Sequence, residues 1–378
     1  MINVFENCFA EENKEFVDKT LLQSHFNDLC EDRKITFAKN NFLKMKTFMP
    51  LLFAGLIFTT IVSCHKSPNT TNTGNWMSKG EFNGVVRSEA VSFVINDTAY
   101  VGTGYDGNNR LTDIWAYNAT GDSWAQKADM PGTPRNSAVG FSAAGKGYIT
   151  TGYDGINMLG DTWEFDPIAN TWAKKADFAG TPRYDAVGFG ILDKGYVGTG
   201  FDGTYLKDFY QYDPSSDTWT LNIGYGGNKR KQAVAFVYQN KAYVATGVNN
   251  GTYQSDFWSF DPTASKWTAL RNTANTNSTE TYDDQYGTIN RANAVAFIVG
   301  DKAYLTTGEN PSLLNTTWEY DFSQDLWATK QAYERPSRTG AVAFSVTNGG
   351  YVMTGSASTL YLDDVDQFFP EALYNAND

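Results

Sequence analysis

The chain has 378 residues and a formal net charge of −12, with only two histidines and three cysteines. An acidic balance lacks the clustered Lys and Arg that neutralise phosphates, so nucleic acid is not an expected partner. His25, His65, Cys8, Cys30 and Cys64 all precede residue 66, so residues 66–378 contain no Ser-His-Asp or Cys-His nucleophile system, no disulfide, and none of the commonest zinc and copper ligands.

Residues 1–44 are polar and charged and share no pattern with the rest of the chain, and we expect translation to start at Met45, which makes 1–44 a mis-assigned extension. Residues 45–64, MKTFMPLLFAGLIFTTIVSC, have a flanking lysine on each side of Met45 and a fifteen-residue apolar run from Phe48 to Val62. The run is shorter than the roughly 20 residues that span a bilayer, which favours a cleaved signal; the rival is an uncleaved anchor that also leaves the rest outside the cytoplasm. Ile61-Val62-Ser63-Cys64 resembles the lipobox of bacterial lipoproteins, which implies lipidation of Cys64 and attachment to a bacterial membrane, at the outer membrane or the periplasmic face, with the leaflet open. Residues 65–74 form a polar, flexible tether.

From residue 75 to 378 one pattern recurs. Arg-x-x-Ala opens six units, at Arg87, Arg135, Arg183, Arg230, Arg291 and Arg338, spaced by 48, 48, 47, 61 and 47 residues. Within a unit, period-two alternation of Val, Phe, Tyr and Thr between turns of Gly, Asn and Asp predicts four short antiparallel strands; in the second unit these are AVGFS, GYITTG, DTWEF and TWAKK. No stretch carries the helical periodicity that a parallel sheet's crossovers require. A unit of this size cannot bury both faces of its sheet alone, whereas six packed radially can. The fold expected is all-β, a six-bladed propeller. An aromatic precedes a Trp by seven residues in five units, from Tyr117 and Trp124 to Tyr320 and Trp327, but the sixth runs out of chain at the position seven beyond Phe368. The strand around Asn75-Trp76-Met77 is therefore expected to close blade six.

The hydrophobic run, small-residue doublet, aromatic and Trp seven later resemble Kelch repeats across residues 75–378. Where that family usually has Gly-Gly, each doublet here reads Thr-Gly, from Thr103-Gly104 to Thr354-Gly355. Copper oxidases of the galactose-oxidase type share this kind of propeller, and that resemblance implies a Cys-Tyr cofactor and His ligands that residues 66–378 lack. A second precedent, the sialic-acid mutarotases, implies acid-base residues near the channel, none of which aligns to a position here. GFSAAGKG at 140–147 imitates a P-loop but lies in a hairpin and has Gly147 in place of the metal-binding Ser or Thr.

Loops joining strands two to three and blade to blade share one face, the top. That face is expected to carry Tyr105, Asp106, Tyr153, Asp154, Phe201, Asp202 and Glu309, with the arginine ring nearer the axis. Six guanidinium forks around a channel suit a carboxylated sugar or acidic peptide; paired with neighbouring Asp or carbonyl groups they would instead be framework. The fourth unit is about fourteen residues longer than the others, and its longest break, 271–290, contains Tyr282, Asp283, Asp284 and Tyr286. All ten Trp fall on repeat positions, so a sugar platform needs Tyr or Phe. The reading is an envelope-anchored, monomeric propeller that binds a glycan or an envelope protein through its top face, touches the membrane through its lipid anchor only, and uses neither cofactor nor metal; a sugar mutarotase is the alternative.

Overall fold

A computed structural model describes residues 73–222, 224–274 and 284–378. The expected signal peptide, Cys64, Tyr282 and Asp283 lie outside the described residues.

Six four-stranded antiparallel sheets succeed one another around an axis, and the innermost strand of each contacts those of its two neighbours, the first also meeting the sixth. In blade two the strands are Val139–Ala143, Lys146–Thr150, Thr162–Asp166 and Thr171–Lys175, joined in a simple meander. The innermost strands bury alternate residues: Val139, Phe141 and Ala143 pack between blades while Gly140 and Ser142 face the axis. At the axis the small residues Ala90, Ala138, Ala186, Ala233, Ala294 and Ala341 leave a narrow channel, because larger side chains could not converge there.

Blade six is completed by the N-terminal strand Asn75–Ser78, paired antiparallel with Val365–Phe369. Trp76 enters the core there, 2% exposed, against Phe297, Tyr333 and Phe368, and its Nε1 donates to the Gln331 carbonyl of the preceding blade. Trp172 and Trp219 make the equivalent bond to Ala128 and Ala176 in theirs, so the N-terminal strand is a regular fourth strand in all but chain order. Closure hides a sheet edge that would otherwise be open to another chain.

The Thr-Gly doublets hold the ring together. Each places two successive residues in the left-handed region, as at Thr151 (φ 63°) and Gly152 (φ 107°), which turns the Gly N–H outward. That N–H donates to the carbonyl of the next blade's arginine, from Gly104 to Arg135 (2.8 Å) around to Gly355 and Arg87 (2.8 Å), six bonds in a closed circle. A Cβ at Gly152 would lie 3.0 Å from the Asn136 carbonyl oxygen, so the second doublet position has no room for a side chain.

Candidate functional site

The six arginines are the most regular polar feature of the propeller, and all are fully buried. Each gives one N–H to the carbonyl of its own blade's doublet Thr, as Arg135 does to Thr151 at 2.9 Å. Arg87, Arg135, Arg183 and Arg338 also fork onto Asp113, Asp161, Asp208 and Asp364, and Arg230 is ion-paired with Asp256 at an angle unsuited to a hydrogen bond on Nη2. Rings five residues upstream cover four of the guanidiniums, Phe82, Phe178, Tyr225 and Tyr333, at 4.9–5.3 Å. Of the two readings that the sequence leaves open for the arginine ring, the anion-gripping one is corrected and the framework one holds: these forks clip the second-to-third-strand loop to the blade and present nothing to a ligand.

Arg291 departs from the rule. Thr316 stands where the other blades have Asp, and the guanidinium is bonded to the Thr316 hydroxyl and to the carbonyls of Thr288, Thr307 and Thr316. Burial without a carboxylate pushes its pKa down to about 9.

Two residues beyond each arginine the chain meets the channel mouth. Glu89, Ser137, Asp185, Gln232, Asn293 and Gly340 occupy this position, all at positive φ. Backbone bonds link each to the last, Gly340 to Glu89 to Ser137 to Asp185 to Gln232 to Asn293, at 2.7–3.1 Å, while the Asn293–Gly340 side is not bridged. One backbone position thus carries six different side chains around a hollow of about 120 Å³. The wall is polar and lopsided: Glu89 accepts from the Asn136 amide and from Ser137 Oγ (2.9 Å), and Lys231 Nζ reaches Asp185 at 3.1 Å. The Asp185 side chain is 6% exposed, and burial raises its pKa to about 6 despite that lysine.

Above the mouth stands a collar of half-buried rings. Tyr361 meets Tyr105 edge-on, Arg110 lies 5.1 Å from both Tyr105 and Tyr153, Tyr153 packs on Tyr184, and Lys231 sits over Tyr184 and Phe201. Their hydroxyls are partly committed: Tyr105 donates to the Gly107 carbonyl and Tyr153 to that of Gly155, which leaves ring surface as the free feature. In these Tyr-Asp-Gly loops the glycine, at φ near +100°, lets the neighbour in, since a Cβ on Gly107 would stand 2.7 Å from the Tyr361 ring and one on Gly155 2.4 Å from Arg110. Asp106, Asp154 and Asp202 cap their own loops through backbone N–H groups two or three residues on. The Asn157 N–H leads the bonds that hold Asp154 below its usual range.

Glu309 completes the cup from blade five. Burial raises its pKa, Lys231 lowers it and Glu89 raises it again, and among the described residues nothing donates a hydrogen bond to its carboxylate. Both cations here already have partners, Arg110 in the Asn136 side-chain oxygen and Lys231 in Asp185. What the cup has to spare is the Glu309 carboxylate, the Gln232 and Asn293 amides and aromatic surface.

Of the sequence candidates, Tyr105, Tyr153, Phe201 and Glu309 are gathered at the cup, and the three loop aspartates hold it in shape. Tyr286 is corrected: it lies in the 3-10 turn Asp284–Thr288, 5% exposed, with its ring against Trp318 and its hydroxyl accepting from the Trp327 N–H. Asp284 opens that turn. Sequence reasoning missed Glu89, Asp185, Lys231, Arg110 and Tyr361. For Glu89, Asp185 and Lys231 the signal was variation, because the two positions after each arginine differ in all six units while the arginine and the Ala three beyond it repeat; Arg110 and Tyr361 carried no such signal. Among the described residues no cluster of carboxylates could hold a metal ion.

Residues 229–273 match the Kelch motif. The solved structure of YjhT is similar in fold, with a TM-score of 0.61 at 18% identity, over 75% of this chain and 95% of that one. No curated protein matches the sequence. The repeated blades and the shared fold make this chain a six-bladed β-propeller, with a Kelch motif matched at residues 229–273.

Proposed function

We propose that the propeller is a binding module that takes a sugar at the axial cup, and that the sugar is neutral or carries an amine. The observation that carries this is the pairing of surfaces: ring faces from Tyr105, Tyr153, Tyr184 and Phe201 stand over a mouth where, among the described residues, the Glu309 carboxylate and the side-chain amides of Gln232 and Asn293 have no hydrogen-bond partner. Ring faces suit the C–H side of a pyranose, and carboxylates accept from hydroxyl or ammonium donors. Three acids, Glu89, Asp185 and Glu309, against two cations, Lys231 at the mouth and Arg110 in the collar, leave the cup net negative and oppose a carboxylated ligand. Attachment to a bacterial envelope through Cys64 would place the module among glycans, and this too is a proposal.

Saturation-transfer NMR with glucosamine, glucose and glucuronate, and their galacto epimers, tests the reading. Transfer to the amino or neutral sugars and none to the uronates is expected. Transfer to the uronates alone, or to none of the six, contradicts it.

A second reading, sugar mutarotase, is favoured by one observation: Glu309 and Asp185 both have pKa values raised by burial beside the channel, as acid-base residues need. Exchange of anomeric protons faster with protein than without, followed by NMR on whichever sugar binds, would establish it; binding without faster exchange leaves the module non-catalytic.

A further inference from the structure

A second cavity opens on the same face between blades three and four, about 520 Å³ in volume, more than four times the axial hollow. Phe201 belongs to both: its ring lies under Lys231 at the cup, and it forms one wall of the outer groove with Tyr205 edge-on at 5.2 Å. The rest of the groove is built from small and amide-bearing residues, Gly203, Thr204, Asn249 and Asn250, with Lys229 at its rim. Two loops make it. The Phe201–Tyr205 loop is pinned by Asp202, which accepts from Thr204 N at 3.0 Å and from Thr181 Oγ1 at 2.7 Å, so the aromatic pair is fixed in place before any ligand arrives. Opposite it, Val248–Asn249 and Thr252–Tyr253 form a short hairpin that presents Asn249 and Asn250 at its tip.

The axial hollow accommodates only the leading groups of a ligand, about a handful of waters in volume. The groove accommodates whole rings, and its lining combines an aromatic pair with side-chain amides that donate and accept, which suits the alternating apolar and hydroxyl faces of a sugar chain. We infer that the groove between blades three and four is an exit subsite, and that the ligand is an oligosaccharide whose terminal residue sits at the axis while the next residues run outward over Phe201. The inference rests on the sugar-binding reading of the cup.

Chain length is the test. Calorimetric titration of the protein with glucosamine and its β-1,4-linked oligomers of two to five residues, and in parallel with glucose and the corresponding cello-oligosaccharides, should show affinity rising at least tenfold from monomer to trimer in the series that binds. Thr204→Arg places a long side chain in the groove from an exposed position that the core does not touch, and should abolish that rise while leaving monomer affinity within about twofold. Asn250→Ala, at the exposed hairpin tip, should reduce the rise by a smaller factor. Equal affinity for monomer and pentamer, or a rise that both variants retain, overturns the exit subsite and leaves the cup intact. No binding of any monomer or oligomer overturns the reading of the cup itself, and this inference with it.

Discussion

Restoring the missing carboxylate of blade five should stabilise the protein. Four blades seat their buried arginine in a two-point fork with N···O distances near 2.6–2.9 Å, while Arg291 is left with the Thr316 hydroxyl at 2.6 Å and backbone carbonyls. Thr316→Asp puts the carboxylate where its counterparts sit, at the start of the third strand. Hydrogen bonds to charged groups contribute about 1.5–3 kcal/mol, and leaving a buried charge unpaired costs about 3–5 kcal/mol. The counterpart carboxylates are 18–30% exposed, which screens the pair, and the Thr316 hydroxyl bond is given up, so a net gain of about 1–2 kcal/mol is expected. In a domain of this size that is a rise in Tm of about 2–5 °C. The pH dependence supplies a second readout. Because burial pushes the Arg291 pKa down to about 9, the folded state binds fewer protons than the unfolded chain above pH 9, so its contribution becomes less unfavourable as pH rises past 9. The variant should lose this trend. Differential scanning calorimetry of Thr316→Asp and of the reverse change in blade two, Asp161→Thr, measures both, the latter with an expected loss of about 2–4 kcal/mol. A folded Thr316→Asp protein with unchanged or lower Tm, or an Asp161→Thr protein as stable as the parent, would refute the reasoning.

Other perturbations act on the ring, the doublets and the mouth. Trp76→Ala removes the largest core group of the closing strand and should cost about 3–5 kcal/mol in urea denaturation, with removal of Asn75–Ser78 costing more; near-parental stability of either would mean that the N-terminal strand does not close blade six. Thr151 holds a buried hydroxyl with no partner among protein groups, as do the other five doublet threonines, so the isosteric Thr151→Val should raise stability by about 1 kcal/mol, and a loss would point to a bound water at that hydroxyl. Asp185 titrates near 6 in the folded protein against 3.8 in its ordinary state, so the folded form takes up a proton first and this residue's contribution to stability improves as pH falls through 6, complete below about 4. Asp185→Asn should flatten Tm against pH across that range, and an unchanged slope would exclude Asp185 as its source.

Repetition made the fold legible and hid the site. Strand order, the Thr-Gly turn and closure by Trp76 came from spacing, because each solves a packing problem that recurs in every blade. The arginines recur for the same reason, and their regularity drew attention to a framework device: nothing in Arg-x-x-Ala states that an Asp about 26 residues on will occupy the fork. Glu89, Asp185 and Lys231 carry no motif. They converge only because six left-handed positions are drawn to one axis, a closeness between residues some 50 to 140 positions apart that only the closed ring creates. Tyr286 reads as a loop aromatic until the 3-10 turn folds its ring against Trp318.

The axial cup is tested most directly by thermal shift of the protein and of a Tyr153→Ala/Glu309→Ala variant against the same panel of amino, neutral and carboxylated sugars. A sugar at a hundredfold excess over its Kd stabilises the protein that binds it by about 2.7 kcal/mol, a shift of several degrees. The expected result is a shift with a neutral or amino sugar that the double variant loses while its ligand-free Tm stays within reach of the parent's. A shift that the variant keeps in full would place the binding site elsewhere on the propeller, and no shift with any sugar would contradict the sugar site altogether.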